Sequence, residues 1–160
     1  MDKGKMLQVL ARTEEALPQV LSDRTLWTSL DVDYEPPRVE RMWCQRGKYR
    51  VFIHRIHPCD KALFHPHPWP SAVKILSGTY EMSIGHGTGA SDPPEAATVL
   101  LTSGSSYEMI DPNGWHSVRP IGGPSLSLMV TAYPYDRNRR HPGEKRPEET
   151  LQTLSVAAET

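Results

Sequence analysis

The chain has 160 residues, of which 38% are hydrophobic, and its formal net charge at pH 7 is -1. This length suits one domain with its own core, and so small a net charge creates no field that would attract nucleic acid or an acidic membrane surface. Two cysteines are too few for a disulfide framework, and no long apolar run follows the N-terminus. We therefore expect no signal peptide, no membrane span and a cytoplasmic location.

The N-terminal segment has the period of a helix over residues 3–29. Its apolar residues fall near one face, namely Leu7, Leu10, Leu17 and Leu21. Pro18 is expected to kink this helix or to divide it in two. A loop follows at 31–37, so residues 1–30 are predicted to form an N-terminal helical extension.

After this loop the apolar period changes to about two, which is typical of strands. The predicted strands are 39–45, 49–56, 72–76, 79–84, 97–101, 107–110, 116–119 and 126–132, with an extended segment at 62–67. Short strands separated by many of the 15 prolines and 11 glycines indicate a closed barrel or a two-sheet sandwich over residues 31–135. Residues 136–160 are predicted to be a charged tail, with one short helix near 151–158. This tail could wrap the barrel, contact another subunit or be disordered.

The most informative motif is His65-Pro66-His67-Pro68-Trp69-Pro70. Because side chains alternate along an extended chain, His65 and His67 lie on the same side of the backbone. A third histidine from a distant strand can complete a set of three nitrogens around a divalent metal, and His116 is the candidate. The alternatives are a rigid aromatic turn at 65–70 and, for His116, a buried histidine that only satisfies a hydrogen bond.

These histidines lie in a pattern that resembles the first motif of the cupin superfamily. His65 and His67 match its His-x-His, and Gly78 matches its closing glycine. Ser71 stands where that motif has a metal-binding glutamate, and Cys59 stands in its opening glycine position.

The second cupin motif, Pro-x-Gly followed by two residues and a histidine, is similar to 112–116, although one residue alone separates Gly114 from His116. The resemblance covers residues 49–132 and implies an all-β, cupin-type jelly-roll barrel. It also implies a divalent metal on His65, His67 and His116. Cupin thiol and diketone dioxygenases hold Fe(II) in this way, so Fe(II) is preferred, with Zn(II), Mn(II) or Ni(II) as alternatives.

The resemblance also implies an inward face on the strand at 79–84, which carries Tyr80, Met82 and Ile84. Tyr80 is the candidate catalytic residue, as a hydrogen-bond donor to substrate, whereas core packing is favoured for the other two. At most one of three strand arginines is expected to face inward and to bind a substrate carboxylate. The three are Arg50, Arg55 and Arg119. His57 is a candidate to support the site or to replace a ligand, although a surface position is favoured.

The function predicted from these features is a non-haem iron dioxygenase that acts on a small anionic substrate through three histidines. Two alternatives stay open: a zinc-type hydrolase or lyase, and a non-catalytic cupin that binds a small molecule. The expected partners are the small-molecule substrate and a second copy of the chain in a homodimer, with no nucleic acid and no membrane.

Overall fold

The structure is a computed structural model that describes residues 5–33, 35–136 and 151–152. Helix α1 spans Met6–Ser22. The strands, in chain order, are β1 (Thr28–Val32), β2 (Val39–Arg46), β3 (Tyr49–Ile56), β4 (His65–Pro66), β5 (Ser71–Ser77), β6 (Thr79–His86), β7 (Ala97–Thr102), β8 (Ser106–Met109), β9 (Gly114–Pro120), β10 (Ser125–Thr131) and β11 (Leu151–Gln152).

The strands form two antiparallel sheets. The larger has the order β11-β1-β2-β3-β10-β5-β8, and the smaller has the order β4-β9-β6-β7. Within them, the eight strands from β3 to β10 divide as β3-β10-β5-β8 and β4-β9-β6-β7, which is the strand order of a double-sheet jelly roll. The all-β jelly roll predicted from the sequence is therefore confirmed.

Helix α1 covers the outer face of the large sheet. Met6 and Leu10 pack with Ala72 of β5 and with Leu128 and Val130 of β10. The other face of the large sheet is directed at the small sheet, so residues on this inner face line the interior of the barrel. Helix, large sheet and small sheet are thus three successive layers, and the interior between the two sheets is where a site can form.

The helix is shorter than the predicted 3–29. It ends at Ser22, and residues 28–32 form strand β1, which pairs with β2. Hydrogen bonds to the edge of the sheet and packing of the buried Trp27 outweigh the weak helical preference of this segment. Pro18 lies inside α1 without dividing it, since it removes one backbone donor near the C-terminal end.

The predicted apolar face of the helix is partly wrong. Leu10 is buried, but Leu7 and Leu21 are 42% and 39% exposed, whereas Met6 and Thr13 are buried. At about 100° per residue, Met6, Leu10 and Thr13 lie within about 60° of one another, and Leu7 lies roughly 60° outside this arc.

The C-terminal tail is described at two residues. Leu151 and Gln152 form β11 and pair with Val32 and Asp31 of β1, so the helix predicted near 151–158 is wrong at its first two positions. The other residues of the predicted tail after Asp136 lie outside the described residues. In the described part of the chain, no helix is both long and apolar enough to cross a membrane.

Candidate metal centre

The three predicted ligands come together at one end of the small sheet. His65 of β4 is paired in register with His116 of β9, and the backbone N–H of His67 donates to the carbonyl oxygen of Gly114 at 3.2 Å. Residues opposite each other in a ladder, and residues two apart along a strand, share a face. The ring centroids lie 4.7 Å apart for His65 and His116, 5.3 Å for His67 and His116, and 6.3 Å for His65 and His67.

Backbone carbonyls fix the protonation of two of these rings. Nδ1 of His65 lies 3.0 Å from the carbonyl oxygen of Leu63, and Nδ1 of His67 lies 3.1 Å from that of Trp69. Because a carbonyl oxygen only accepts, Nδ1 carries the proton in both rings and Nε2 keeps its lone pair. Metal-binding histidines are commonly oriented in this way.

Burial keeps the inner two rings neutral. His67 and His116 are each 6% exposed. Burial, together with the neighbouring His65, lowers the pKa of His67 to about 4. Burial also lowers the pKa of His116 well below its ordinary value, with His65 and His67 contributing. Both imidazoles are therefore neutral at neutral pH, which is the form that binds a metal.

His116 has a further feature that fits a ligand set. Its Nδ1 is buried and has no hydrogen-bond partner among the described residues. Buried polar nitrogens nearly always have a partner, because leaving one unsatisfied costs about 1–3 kcal/mol. An ion or a bound molecule in the barrel would remove this cost.

Two of the three separations between the histidine rings fit a shared metal ion. A nitrogen ligand lies about 2.1 Å from the ion, which places the ring centroid roughly 3.2 Å from it. Two centroids then lie about 4.5 Å apart at a right angle and about 5.2 Å apart at the tetrahedral angle. The separation of 6.3 Å between His65 and His67 exceeds this range by about 1 Å. Correspondingly, no three His, Cys, Asp or Glu side chains of the described residues are grouped so as to hold an ion as they stand. The donors suit a divalent metal, and the rings of His65 and His67 must come about 1 Å closer to each other to complete the set.

Ser71 begins strand β5, and it also supports His67. Its hydroxyl lies 2.8 Å from Nδ1 of His67 and donates to the carbonyl oxygen of Trp69 at 3.2 Å. The ring of Trp69 contacts His67 edge-on, with centroids 5.5 Å apart. The residue in the glutamate position of the motif therefore orients a predicted ligand.

Tyr80 lies inside the barrel, but its hydroxyl is engaged. Its oxygen is 2.7 Å from the hydroxyl oxygen of Tyr107 on β8, so this contact bridges the two sheets. Burial raises the pKa of Tyr80 to about 12. On β6, Ile84 is opposite His116, whereas Tyr80 is opposite Pro120, four residues along β9 from His116. The Tyr80 backbone is thus well separated from the row that contains the histidines.

The predicted arginine clamps have other partners. Arg55 is 3.1 Å from Glu40, and Arg119 is 3.2 Å from Glu81. The guanidinium of Arg50 lies 4.4 Å from the centroid of the Trp43 ring. His57 also contacts Glu40, at 2.9 Å, which places it away from the histidine set.

Sequence reasoning missed a pair on the inner face of the large sheet. Arg41 of β2 and His54 of β3 are opposite each other in register, and Nε of Arg41 donates to Nε2 of His54 at 3.1 Å. His54 is 8% exposed. The strict alternation of β3 could show that His54 and His57 have different surroundings, but it could not show which one faces the interior.

Fold and site together define a jelly-roll protein with a histidine cluster at one end of its small sheet. No protein-family model matches the sequence, and no curated protein matches it. Among solved structures the chain is similar to KdgF from Halomonas sp. (14% identity, 66% of this chain and 88% of that one, TM-score 0.49) and to an RmlC-like cupin from Shewanella frigidimarina NCIMB 400 (11%, 66% and 83%, 0.49).

The chain is also similar to hydroxypropylphosphonic acid epoxidase from S. wedmorenis, at 17% identity and a TM-score of 0.47. That match covers 58% of this chain and spans half the length of the epoxidase. At such identities the likeness concerns the fold alone.

Proposed function

We propose that this protein is a metal-dependent oxidoreductase of cupin type, a non-haem iron dioxygenase acting on a small anionic substrate, with His65, His67 and His116 as the metal ligands. The observation that supports this most is the convergence of three imidazoles, two of which keep an Nε2 lone pair because Nδ1 faces a backbone carbonyl. Imidazole nitrogen suits Fe(II) and several other divalent metals. Iron is preferred because the resemblance includes three-histidine iron dioxygenases.

A bound Fe(II) would supply the redox chemistry with dioxygen that side chains alone lack. The protein contributes ligand orientation and charge. Three neutral histidines leave the full double charge of the ion uncompensated, and this favours a substrate that binds as an anion. The carbonyl of Trp69 and the hydroxyl of Ser71 hold the ring of His67 in one orientation.

The inner face of the large sheet, which forms one wall of the interior, contains an apolar cluster. Phe52, Val73 and Met129 form a buried cluster on the inner face of the large sheet. Such a wall excludes water and strengthens electrostatic interactions with a charged substrate.

Tyr80 is kept in the proposal as a hydrogen-bond donor. In its pair with Tyr107 one hydroxyl donates to the other, which leaves one proton of the pair for a substrate oxygen.

Metal analysis of natively purified protein tests this proposal. One variant carries both His65→Ala and His67→Ala. The matched control carries both His57→Ala and His86→Ala, which removes two histidines that contact Glu40 and Asp111. We expect near-stoichiometric iron in the wild type and in the control, and its loss from the first variant. Oxygen consumption is then measured with small carboxylates that carry a thiol or a diketone.

Each other outcome contradicts the proposal in a defined way. Stoichiometric zinc with no oxygen consumption would favour hydrolase or lyase chemistry at the same ligands. Iron retained when His65 and His67 are both replaced would place the metal elsewhere. Metal-free protein that also fails to bind added Fe(II) would favour a non-catalytic binding protein.

A further inference from the structure

A buried hydroxyl group on the inner face of the large sheet has no hydrogen-bond partner among the described residues. It is that of Thr131 on β10, a residue that is 1% exposed. Its side chain faces the interior, because Met129, two residues earlier on the same strand, belongs to the apolar cluster of the inner face. Buried hydroxyls nearly always have a partner, so this one has a hydrogen bond to offer to a molecule inside the barrel.

Thr131 lies beside the residue that orients His67. It is opposite Ser71 in the ladder between β10 and β5, and residues in such a position have Cβ atoms about 4.5–5.5 Å apart. The hydroxyl of Ser71 in turn lies 2.8 Å from Nδ1 of His67. One ladder pair and one hydrogen bond therefore connect Thr131 to a predicted metal ligand.

The two facing hydroxyls differ in what they have left to offer. That of Ser71 donates its proton to the carbonyl oxygen of Trp69 and accepts from the protonated Nδ1 of His67. That of Thr131 has neither contact, so its proton is available. Nδ1 of His116, whose ring centroid is 5.3 Å from that of His67, is also buried without a partner in the described part of the chain. Two buried polar groups near the same ring thus await a ligand.

We propose that Thr131 is a specificity-determining residue, which donates a hydrogen bond to a carboxylate or carbonyl oxygen of a small acid. The opposite, anionic end of this acid binds at the histidines. A hydroxyl can donate or accept, but the oxygens of such a substrate only accept, so Thr131 is the donor. The inference deepens the proposed function and rests on it for the anionic end of the substrate, but not for the metal or the reaction.

Calorimetric titration of natively purified protein under argon tests the inference with two sets of probes. The shorter set is butyrate, acetoacetate and malonate, and the longer set is valerate, levulinate and succinate. Within a set, the first probe has a single carboxylate, the second adds a carbonyl, and the third has a second carboxylate. We expect the carbonyl or dicarboxylate probe of at least one set to bind about 10-fold more tightly than its monocarboxylate. The tighter of the two identifies the group that Thr131 binds.

Three variants make the outcome specific. Thr131→Val keeps the shape without the hydroxyl, so it should weaken the tighter probe about 10-fold and leave the monocarboxylate within about 2-fold. Thr131→Ser should restore most of the affinity. Ser125→Ala is the matched control, because Ser125 lies on the same face of β10 at its other end and has a buried hydroxyl that also lacks a partner. Its affinities should equal those of the wild type.

A structural role of the hydroxyl predicts different results. Because no hydrogen bond of the ligand-free protein is removed, Thr131→Val should not lower its Tm. A lower Tm together with an equal loss of affinity for all probes would overturn the inference. So would a wild type that binds the probes of each set equally, a Thr131→Val variant that keeps its preference, or an equal loss in Ser125→Ala.

A second measurement decides if Thr131→Val does not fold. The methyl resonance of Thr131 is followed by NMR in ¹³C-labelled wild-type protein, and it should shift with the tighter probe more than with the monocarboxylate. An unchanged resonance at saturation would exclude the contact. Metal content and oxygen consumption are measured separately, so zinc in place of iron would contradict the proposed function and leave the result for Thr131 standing.

Discussion

The hydroxyl group of Ser71 helps to orient the ring of His67. Ser71 is fully buried, and its Oγ lies 2.8 Å from Nδ1 of His67. Partners of this kind typically change metal affinity by 10- to 100-fold. We expect Ser71→Ala to weaken Fe(II) binding by about 10-fold, with little change in the secondary structure seen by circular dichroism.

Ser83→Ala is the matched control for that measurement, made by anaerobic metal titration. Ser83 is also buried, and its hydroxyl contacts that of Thr98. Ser83 precedes Ile84, which is opposite His116 in the ladder, so Ser83 and His116 lie on different faces of the small sheet. Equal affinities for Ser71→Ala and the wild type would show that the hydroxyl does not position the ring.

His54 makes the stability of the metal-free protein depend on pH. Its pKa is lowered in the folded state, chiefly by burial, so below the ordinary pKa of about 6.5 the unfolded chain binds more protons than the folded chain. The contribution is fully present above pH 6.5 and is lost as pH falls below it. We expect the free energy of unfolding in urea to decrease by up to about 1.4 kcal/mol per pH unit for this histidine between pH 6 and pH 5.

His54→Gln should reduce that slope, since its amide oxygen can still accept from Arg41 but does not titrate. His86→Gln should leave it unchanged, because the side chain of His86 is 65% exposed and contacts Asp111 at the surface. A slope that responds equally to both substitutions would mean that burial of His54 does not cause the effect.

The residues of the site differ in how far the sequence could predict them. The His-x-His spacing and the second motif were sufficient to predict that His65, His67 and His116 lie close together. Arg41 was missed because an arginine on a half-buried strand has no sequence signal that separates an interior position from a surface one. Its interior position depends on pairing with β3, where it is opposite His54.

At the level of elements, the strands with clear alternation were predicted closely. The strand at 49–56 has the predicted bounds, and 39–45 and 126–132 differ by a single residue at one or both ends. Strand β1 was missed because Thr28–Val32 is short and its burial does not alternate. Its pairing with β2 and β11 identifies it, and such pairing is not a local property of the sequence.

The packing of α1 on the large sheet gives a prediction at this scale. Leu10 is 3% exposed and packs among residues of β5 and β10, whereas Leu7 is 42% exposed. Leu10→Ala leaves a cavity, and we expect it to lower the free energy of unfolding by about 2–5 kcal/mol. Leu7→Ala should change it by less than about 0.5 kcal/mol. Urea unfolding followed by circular dichroism measures both, and a similar effect of the two substitutions would contradict the observed face of the helix.

At the scale of the whole molecule, the order of the strands determines where the site forms. The jelly roll brings β4 beside β9, although they are far apart in sequence, and so pairs His65 with His116. His67 follows on the segment that leads into β5 of the other sheet, where the N–H of Ala132 donates to the carbonyl oxygen of Pro70 at 2.9 Å. The candidate metal centre therefore lies where the chain passes from the small sheet to the large one.

This location predicts that metal binding stabilises the whole fold. An ion that joins β4, β9 and the segment before β5 binds the folded chain and not the unfolded one. At 100 times the dissociation constant this adds about 2.7 kcal/mol, which for a chain of this size raises Tm by roughly 5–10 °C. We expect this rise with Fe(II) under anaerobic conditions and its reversal by EDTA. Mg²⁺ should have no effect, because it prefers oxygen ligands. The variant with His65→Ala and His67→Ala should also show none, and an equal rise in that variant would mean that the ion binds elsewhere on the folded chain.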